Sequence, residues 1–137
     1  MTKLLTRDQV SHDACVHYTR VYADQQGESH FEDVDVKLNV IDFAPPAPPL
    51  ALSEWAPAER VGFLSGGPGW RGELHPTPRR QFMVLLAGRV GCQVSDGESR
   101  IVHPGEVTLL EDTTGKGHTT WHEGDESPTV FVVQLPH

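Results

Sequence analysis

Gly69-Trp70-Arg71-Gly72-Glu73-Leu74-His75-Pro76-Thr77-Pro78-Arg79-Arg80-Gln81-Phe82-Met83-Val84-Leu85-Leu86-Ala87-Gly88 decides how this chain reads. From Gly69, five residues lead to His75, one more to Thr77, three to Gln81 and six to Gly88. Arg80 to Ala87 is a short apolar run between Pro78 and Ala87-Gly88, the length of a strand and too short for an ordinary helix. Polar groups able to donate or ligate, His75, Thr77 and Gln81, therefore sit just ahead of this strand or near its start.

Working outward, the same short-strand pattern repeats. In Val34, Val36, Leu38 and Val40, apolar residues alternate with Asp33, Asp35, Lys37 and Asn39, giving a half-buried strand with even-numbered residues inward. Extended backward, that parity also places His30 and Glu32 inward. Ala44-Pro45-Pro46-Ala47-Pro48-Pro49 follows, a stiff polyproline connector between strands. Further strands are expected over about 60–64, 71–76, 80–87, 90–95, 100–103, 106–110, 118–123 and 129–135, each closed by a turn signal such as Pro104-Gly105 or Gly115-Lys116-Gly117. Asp96-Gly97 is the strongest hairpin signal, because glycine accepts the positive φ of a type I′ turn. The first 17 residues show no clear period and read as an extension, leaving 18–137 as one domain. Many short, evenly spaced strands imply an all-β sandwich or barrel.

Composition agrees and excludes other classes. The 137 residues include 13 Gly and 11 Pro, which favours turns over long helices. Acidic residues outnumber basic ones, 19 to 11, and the densest basic run is Arg79-Arg80, so nucleic acid is not an expected partner. No apolar run approaches the length of a membrane span. The cysteines, Cys15 and Cys92, are far apart and lack CxxC spacing, and the opening residues do not read as a signal peptide, so a reduced, cytoplasmic setting is expected. Asp112 to Gly117 lacks Walker spacing, and no nucleotide cofactor is expected.

Gly69, His75, Thr77, Gln81 and Gly88 stand at the spacings of the first cupin motif, with Thr77 where a second His and Gln81 where a Glu belong. A second stretch begins at Pro104-Gly105 and reaches His118, two residues later than is usual for the second motif, with His122 four further on. The chain thus resembles the small single-domain cupins with degenerate metal-binding motifs, over about Gly62 to Leu135. The resemblance implies a cupin-type jelly-roll (double-stranded β-helix) barrel of two antiparallel sheets, a homodimer, and one small-molecule site at the barrel mouth. It implies chemistry among isomerisation, cyclisation, elimination and oxygenation of a small carbonyl or carboxylate compound, without choosing one. Non-catalytic binding or sensing is the alternative.

Two candidate chemistries use the same residues. A divalent ion (iron, manganese, nickel or zinc) would take His75, His118 and the Gln81 amide oxygen, weakly because that amide brings no charge, unless Glu73, Asp112 or His30 completes the set. His122 would not join, four residues being about 13 Å along a strand. Without metal, His75 or His118 would be a general base whose tautomer is fixed by Asp112 or Glu73, with Arg80 or Lys116 steadying an oxyanion. Gln81, Met83 and Leu85 would share one strand face, and His118, Thr120 and His122 another. Glu73 would face inward with His75, and His30 joins the expected lining. Trp70 and Trp121 at the mouth would stack on a cyclic ligand. Replacing His118 with Ala is expected to abolish turnover and leave the melting temperature nearly unchanged.

Overall fold

The computed structural model describes residues 16–137, and among them are eleven strands and no helix. Glycine and proline cut the apolar runs to strand length. The strands are β1 (Val16–Ala23), β2 (Ser29–Val36), β3 (Asn39–Ile41), β4 (Leu50–Leu52), β5 (Arg60–Ser65), β6 (Gln81–Ala87), β7 (Arg89–Val94), β8 (Ser99–Val102), β9 (Val107–Leu110), β10 (His118–Glu123) and β11 (Thr129–Gln134). None of the described elements is a helix able to cross a membrane. The extension expected over 1–17 falls almost wholly outside the described residues; Val16 and His17 open β1.

The described chain separates into two compact units, one containing Val34–Ala56, the other Tyr18–Asp33 with Pro57–His137. In the smaller, β3 and β4 form an antiparallel pair with Val40 opposite Ala51. The proline run between them is not an extended connector: Ala47 N–H donates to Ala44 C=O at 2.9 Å, closing a turn, and the Pro45–Pro46 bond is cis. The Phe43 and Trp55 rings lie 6.3 Å apart.

The larger unit is built from two sheets. One has the order β2-β1-β9-β6-β11-β5, the other β10-β7-β8. Residues 71–75 extend the second sheet alongside β10 through bridges Arg71–Trp121 and His75–His118. Numbering eight strands from β5, with residues 71–75 as the second, gives sheets of order 1-8-3-6 and 2-7-4-5, which is the jelly-roll arrangement. β1 adds to it in parallel with β9, Arg20 opposite Leu109. Val21, Val94 and Leu110 form the buried centre, with Phe31 and Met83 packed against them. At the β7–β8 turn Gly97 has φ 103°, and Val94 N–H reaches Glu98 C=O at 3.0 Å, the hairpin that Asp96-Gly97 signalled.

Two parity expectations change. From Val34 to Val40 the alternation of burial holds, although the expected strand is interrupted at Lys37 and Leu38 between β2 and β3, and it does not extend backward: Ser29 is buried and Phe31 packs on the core, while Glu32 and Asp33 are both exposed. The division between the two units falls between Asp33 and Val34, where the parity changes. In residues 71–75 four steps of chain are set against three in β10, from Trp121 to His118, so the pairing contains a bulge. The expected uninterrupted strand over 71–76 is therefore broken, and Glu73 and His75 are both exposed where an inward-facing pair was expected.

Candidate active site

His118 is the first residue of β10 and sits over the loop that precedes it. Its Nδ1–H donates to Asp112 Oδ2 at 2.6 Å, and the two side chains are 4 % and 0 % exposed. That bond fixes the imidazole tautomer and leaves Nε2 as the nitrogen open to proton transfer. Asp112 Oδ1 is buried with no hydrogen-bond partner, so His118 is the carboxylate's side-chain counterpart. Facing them across the sheet is His75. Its backbone exchanges both hydrogen bonds with His118, at 3.0 Å each, and the two rings lie 5.4 Å apart. His75 Nδ1–H donates to Glu73 C=O at 2.6 Å, so its Nε2 is also the open nitrogen. Glu73 contributes this carbonyl, and both Glu73 and His75 are exposed, whereas His118 is buried.

The loop over 112–117 positions this pair. Gly117 has φ 77°, and a Cβ there would lie 2.0 Å from the His75 carbonyl carbon, so only glycine fits. Its carbonyl accepts from the Ser29 hydroxyl at 2.6 Å, and Lys116 N–H donates to Gly27 C=O at 2.8 Å, fastening the loop to the β1–β2 turn.

Thr77 and Gln81, the two departures from the motif, satisfy each other. Gln134 Nε2 donates to Gln81 Oε1 at 2.8 Å, Gln81 Nε2 to Thr77 Oγ1 at 3.3 Å, and Thr77 Oγ1 to Arg79 C=O at 3.2 Å. Thr77 N–H donates to Asp112 C=O at 3.0 Å, joining this chain to the His118 pair. Both side chains are buried, so these bonds offset a desolvation cost.

The donor set does not fit a resident divalent ion. His75 and His118 have the tautomers of metal-ligating imidazoles. The expected third ligand, the Gln81 amide oxygen, is uncharged and already accepts from Gln134. Among the described residues no three His, Cys, Asp or Glu side chains are gathered as a metal site.

Two cavities share Met83, and neither has His75 or His118 among its lining residues. One of about 200 Å³ is lined by Trp70, Thr120, His122 and Val130 among others, and one of about 400 Å³ by Arg60, Gln81, Val132 and Gln134 among others. Trp70 is half exposed with its ring 5.0 Å from His122. His122 Nδ1–H donates to Gly67 C=O at 2.8 Å. His118, Thr120 and His122 alternate along β10, as do Gln81, Met83 and Leu85 along β6.

Four expected ligand contacts are elsewhere. Trp121, at odd parity, turns to the opposite face of β10, covers Gly91, where a Cβ would meet the ring at 2.0 Å, and lies 4.9 Å beneath the Arg71 guanidinium. Arg80 is on the face away from Gln81 and binds Glu111 at 2.7 Å, while Arg20 takes the other carboxylate oxygen at 2.6 Å. Burial works to raise Glu111, but the bonds from Arg20 and Arg80 outweigh it and hold the carboxyl below its usual range. Lys116 is likewise occupied, by Glu28 at 2.6 Å. His30 has both ring nitrogens engaged, Nε2 by Asp24 and Nδ1 by Asp96, each at 2.7 Å. The bond from Asp24, then that from Asp96, pushes the imidazole pKa up. It is a clasp between two turns and does not line the barrel. Cys92 is buried, and desolvation followed by the Asp112 charge pushes its thiol up to about 12, so it stays protonated packing.

Arg60, Gln134 and His122 were not singled out as ligand contacts in the sequence. The available signal was parity: Gln134 continues the inward series Val130, Val132, and His122 that of His118, Thr120.

No family model matches the chain, and no curated protein matches it. Among solved structures it is similar to a protein of unknown function from Rhizobium leguminosarum bv. viciae (25 % identity, 56 % of this chain and 69 % of that one, TM-score 0.47). It is also similar to a Cupin 2 conserved barrel domain protein from Salinispora arenicola (22 %, 74 % and 76 %, 0.47) and to the Cnp3 cupin domain of Schizosaccharomyces pombe (10 %, 89 % and 84 %, 0.48). By its own strand order, the larger unit of this chain is an all-β jelly roll of two sheets, with His75, Asp112 and His118 brought together at the start of β10.

Proposed function

We propose that the protein is a small-molecule enzyme of the cupin kind that works by acid–base catalysis, with His118 as general base, Asp112 as its positioning residue and His75 as the second proton carrier. The observation carrying this reading is the buried 2.6 Å His118–Asp112 bond with the His75 ring 5.4 Å from that of His118. Removing a proton beside a carbonyl leaves His118 as an imidazolium, whose charge the Asp112 carboxylate stabilises without itself taking the proton. His75, protonated on Nε2, returns a proton to another atom of the same substrate. Isomerisation, cyclisation and elimination all have this form.

Incubating the protein in D2O with short 2-oxo acids tests it by following loss of the proton signal beside the carbonyl. Catalysed exchange is expected, falling at least about 100-fold in His118→Gln, which keeps a side chain able to bond Asp112. Equal exchange in the variant overturns the assignment.

A second reading, non-catalytic ligand binding, is favoured by the Thr77–Gln81–Gln134 chain: positions that would supply ligands in an intact motif are closed on one another. It expects saturable binding with no change in the ligand.

A further inference from the structure

Arg60, Gln134 and Gln81 form one row across three neighbouring strands, Arg60 opposite Gln134 in β5–β11 and Gln134 opposite Gln81 in β11–β6. Hydrogen bonds run along the row, from Arg60 Nε to Gln134 Oε1 and from Gln134 Nε2 to Gln81 Oε1. Each amide nitrogen has two hydrogens and spends one of them in this chain, and Arg60 spends only its Nε–H. The row thus keeps several unspent donors and no unspent side-chain carboxylate.

Arg60 differs from the other arginines of the larger unit that hold carboxylates. Arg20, Arg79, Arg80 and Arg100 each pair with Glu or Asp. Arg60 has no acidic partner among the described residues. Its chain neighbour Glu59 is bound by Arg79 instead. The described residues lining the 400 Å³ cavity include no acid, so Arg60 supplies its one formal charge, in a protein of net charge −8.

The next inward row is apolar. Gly62, Val132 and Met83 stand opposite one another two residues further along the same strands. A Cβ on Gly62 would meet nothing within 4 Å, so space lies open there beside Val132 and Met83. A cationic, donor-rich row therefore adjoins an unfilled apolar one.

We propose that this cavity binds a small monocarboxylate with an apolar body, its carboxylate on the Arg60 guanidinium and the free amide hydrogens of Gln134 and Gln81, its body in the space left by Gly62 against Val132 and Met83. The carboxylate takes charge-assisted bonds, bidentate on the guanidinium, and the body leaves water. The site deepens the acid–base reading by naming its substrate class, and rests on that reading only for turnover; Gln81 reaches the His118 pair through Thr77 and its N–H to Asp112 C=O.

Titration calorimetry on the full chain with hexanoate and its neutral isostere hexanamide tests the site. Hexanoate is expected to bind saturably and at least about tenfold more tightly than hexanamide. Arg60→Met should remove that preference, and Gly62→Leu, which enters open space, should abolish binding of both while thermal unfolding stays cooperative. His118→Gln should leave hexanoate affinity within about twofold. Absence of hexanoate binding at millimolar concentration, an unchanged preference in Arg60→Met, or undiminished binding to folded Gly62→Leu each overturns the site. Hexanoate bound as described without exchange on 2-oxo acids sinks the acid–base reading alone; exchange lost in His118→Gln with no hexanoate binding sinks this site alone.

Discussion

Two histidines in this protein hold carboxylates at nearly the same distance and in opposite surroundings. His118 meets Asp112 at 2.6 Å with both side chains almost fully buried. His30 meets Asp24 and Asp96 at 2.7 Å, all three between 28 % and 31 % exposed. Water screens the second group, and both nitrogens of the ring are committed, so it ties the β1–β2 turn to the β7–β8 turn. Water is excluded from the first, one nitrogen remains open, and breaking it strands a carboxylate in a dry place. The same residue types thus give a clasp at the surface and a reactive pair inside. The loop over 112–117 serves both, holding Asp112 at one end and reaching Ser29 and Gly27 from the other.

The sharpest way to separate the two is to delete each ring. His118→Ala should cost about 3–5 kcal/mol, because Asp112 would be left buried and unpaired. By the size of the protein that is a fall in Tm on the order of 10 °C, read by calorimetry at pH 7. This replaces the expectation of a nearly unchanged melting temperature. A variant melting within 2 °C or so of the parent would show that loss of the ring does not leave Asp112 buried and unpaired.

Gly117→Ala probes the shared loop. A Cβ 2.0 Å from the His75 carbonyl carbon, at a φ of 77°, forces backbone apart, and a loss of about 2–4 kcal/mol is expected in urea unfolding. The exchange activity assigned to His75 and His118 should fall with it. An alanine variant of parental stability would refute the close packing.

The tryptophans give a smaller, opposed pair of effects. Trp121→Ala should lower stability by about 1–3 kcal/mol through loss of its packing on Gly91, and leave ligand affinity unchanged. Trp70→Ala, at a half-exposed ring on the cavity rim, should do the reverse, weakening a cyclic carboxylate such as benzoate several-fold with little change in Tm. Equal effects of both on affinity would contradict the assignment of Trp121 to the outer face.

The His30 clasp carries the smallest effect, visible as pH dependence. Its imidazole is raised above its ordinary value near 6.5, so its stabilisation is complete below that pH and is lost as pH rises through the higher folded value. Asp24, lowered chiefly by the His30 bond, and Asp96, lowered first by the Glu98 N–H and then by His30, contribute above the ordinary carboxylate range and lose that as pH falls. Tm should decline between about pH 6 and pH 8.5 in the parent and change less over that window in His30→Gln. Parallel profiles would remove the clasp.

Most strands were legible because alternation and glycine or proline punctuation are local. Seven of those expected beyond residue 57 appear within a residue or two of their expected ends, from β5 to β11. The interrupted one, over 71–76, contains Gly72 and a bulge whose place depends on where β10 runs beside it. That Asp112 could fix the tautomer of a nearby histidine was legible as one of two options with Glu73, and parity followed through on β10 would have put Trp121 on the face opposite His118, not at the mouth. For Arg80 the charge was visible in the sequence but its partner was not, because Glu111, which it shares with Arg20, lies 31 residues further along the chain just after β9.

By itself, then, the sequence determined the all-β class, the turn positions and the alternation that aims His118, Thr120 and His122 along one face, since these follow from backbone sterics and a two-residue period. The tertiary structure alone decided which polar groups are spoken for. Asp112 closes on His118, Thr77 on Gln81, Asp24 and Asp96 on His30, and Arg60 on no acid among the described residues. Those partnerships join residues from different strands and loops, and charge and hydrogen-bond capacity are settled by distance in space, which local sequence does not encode.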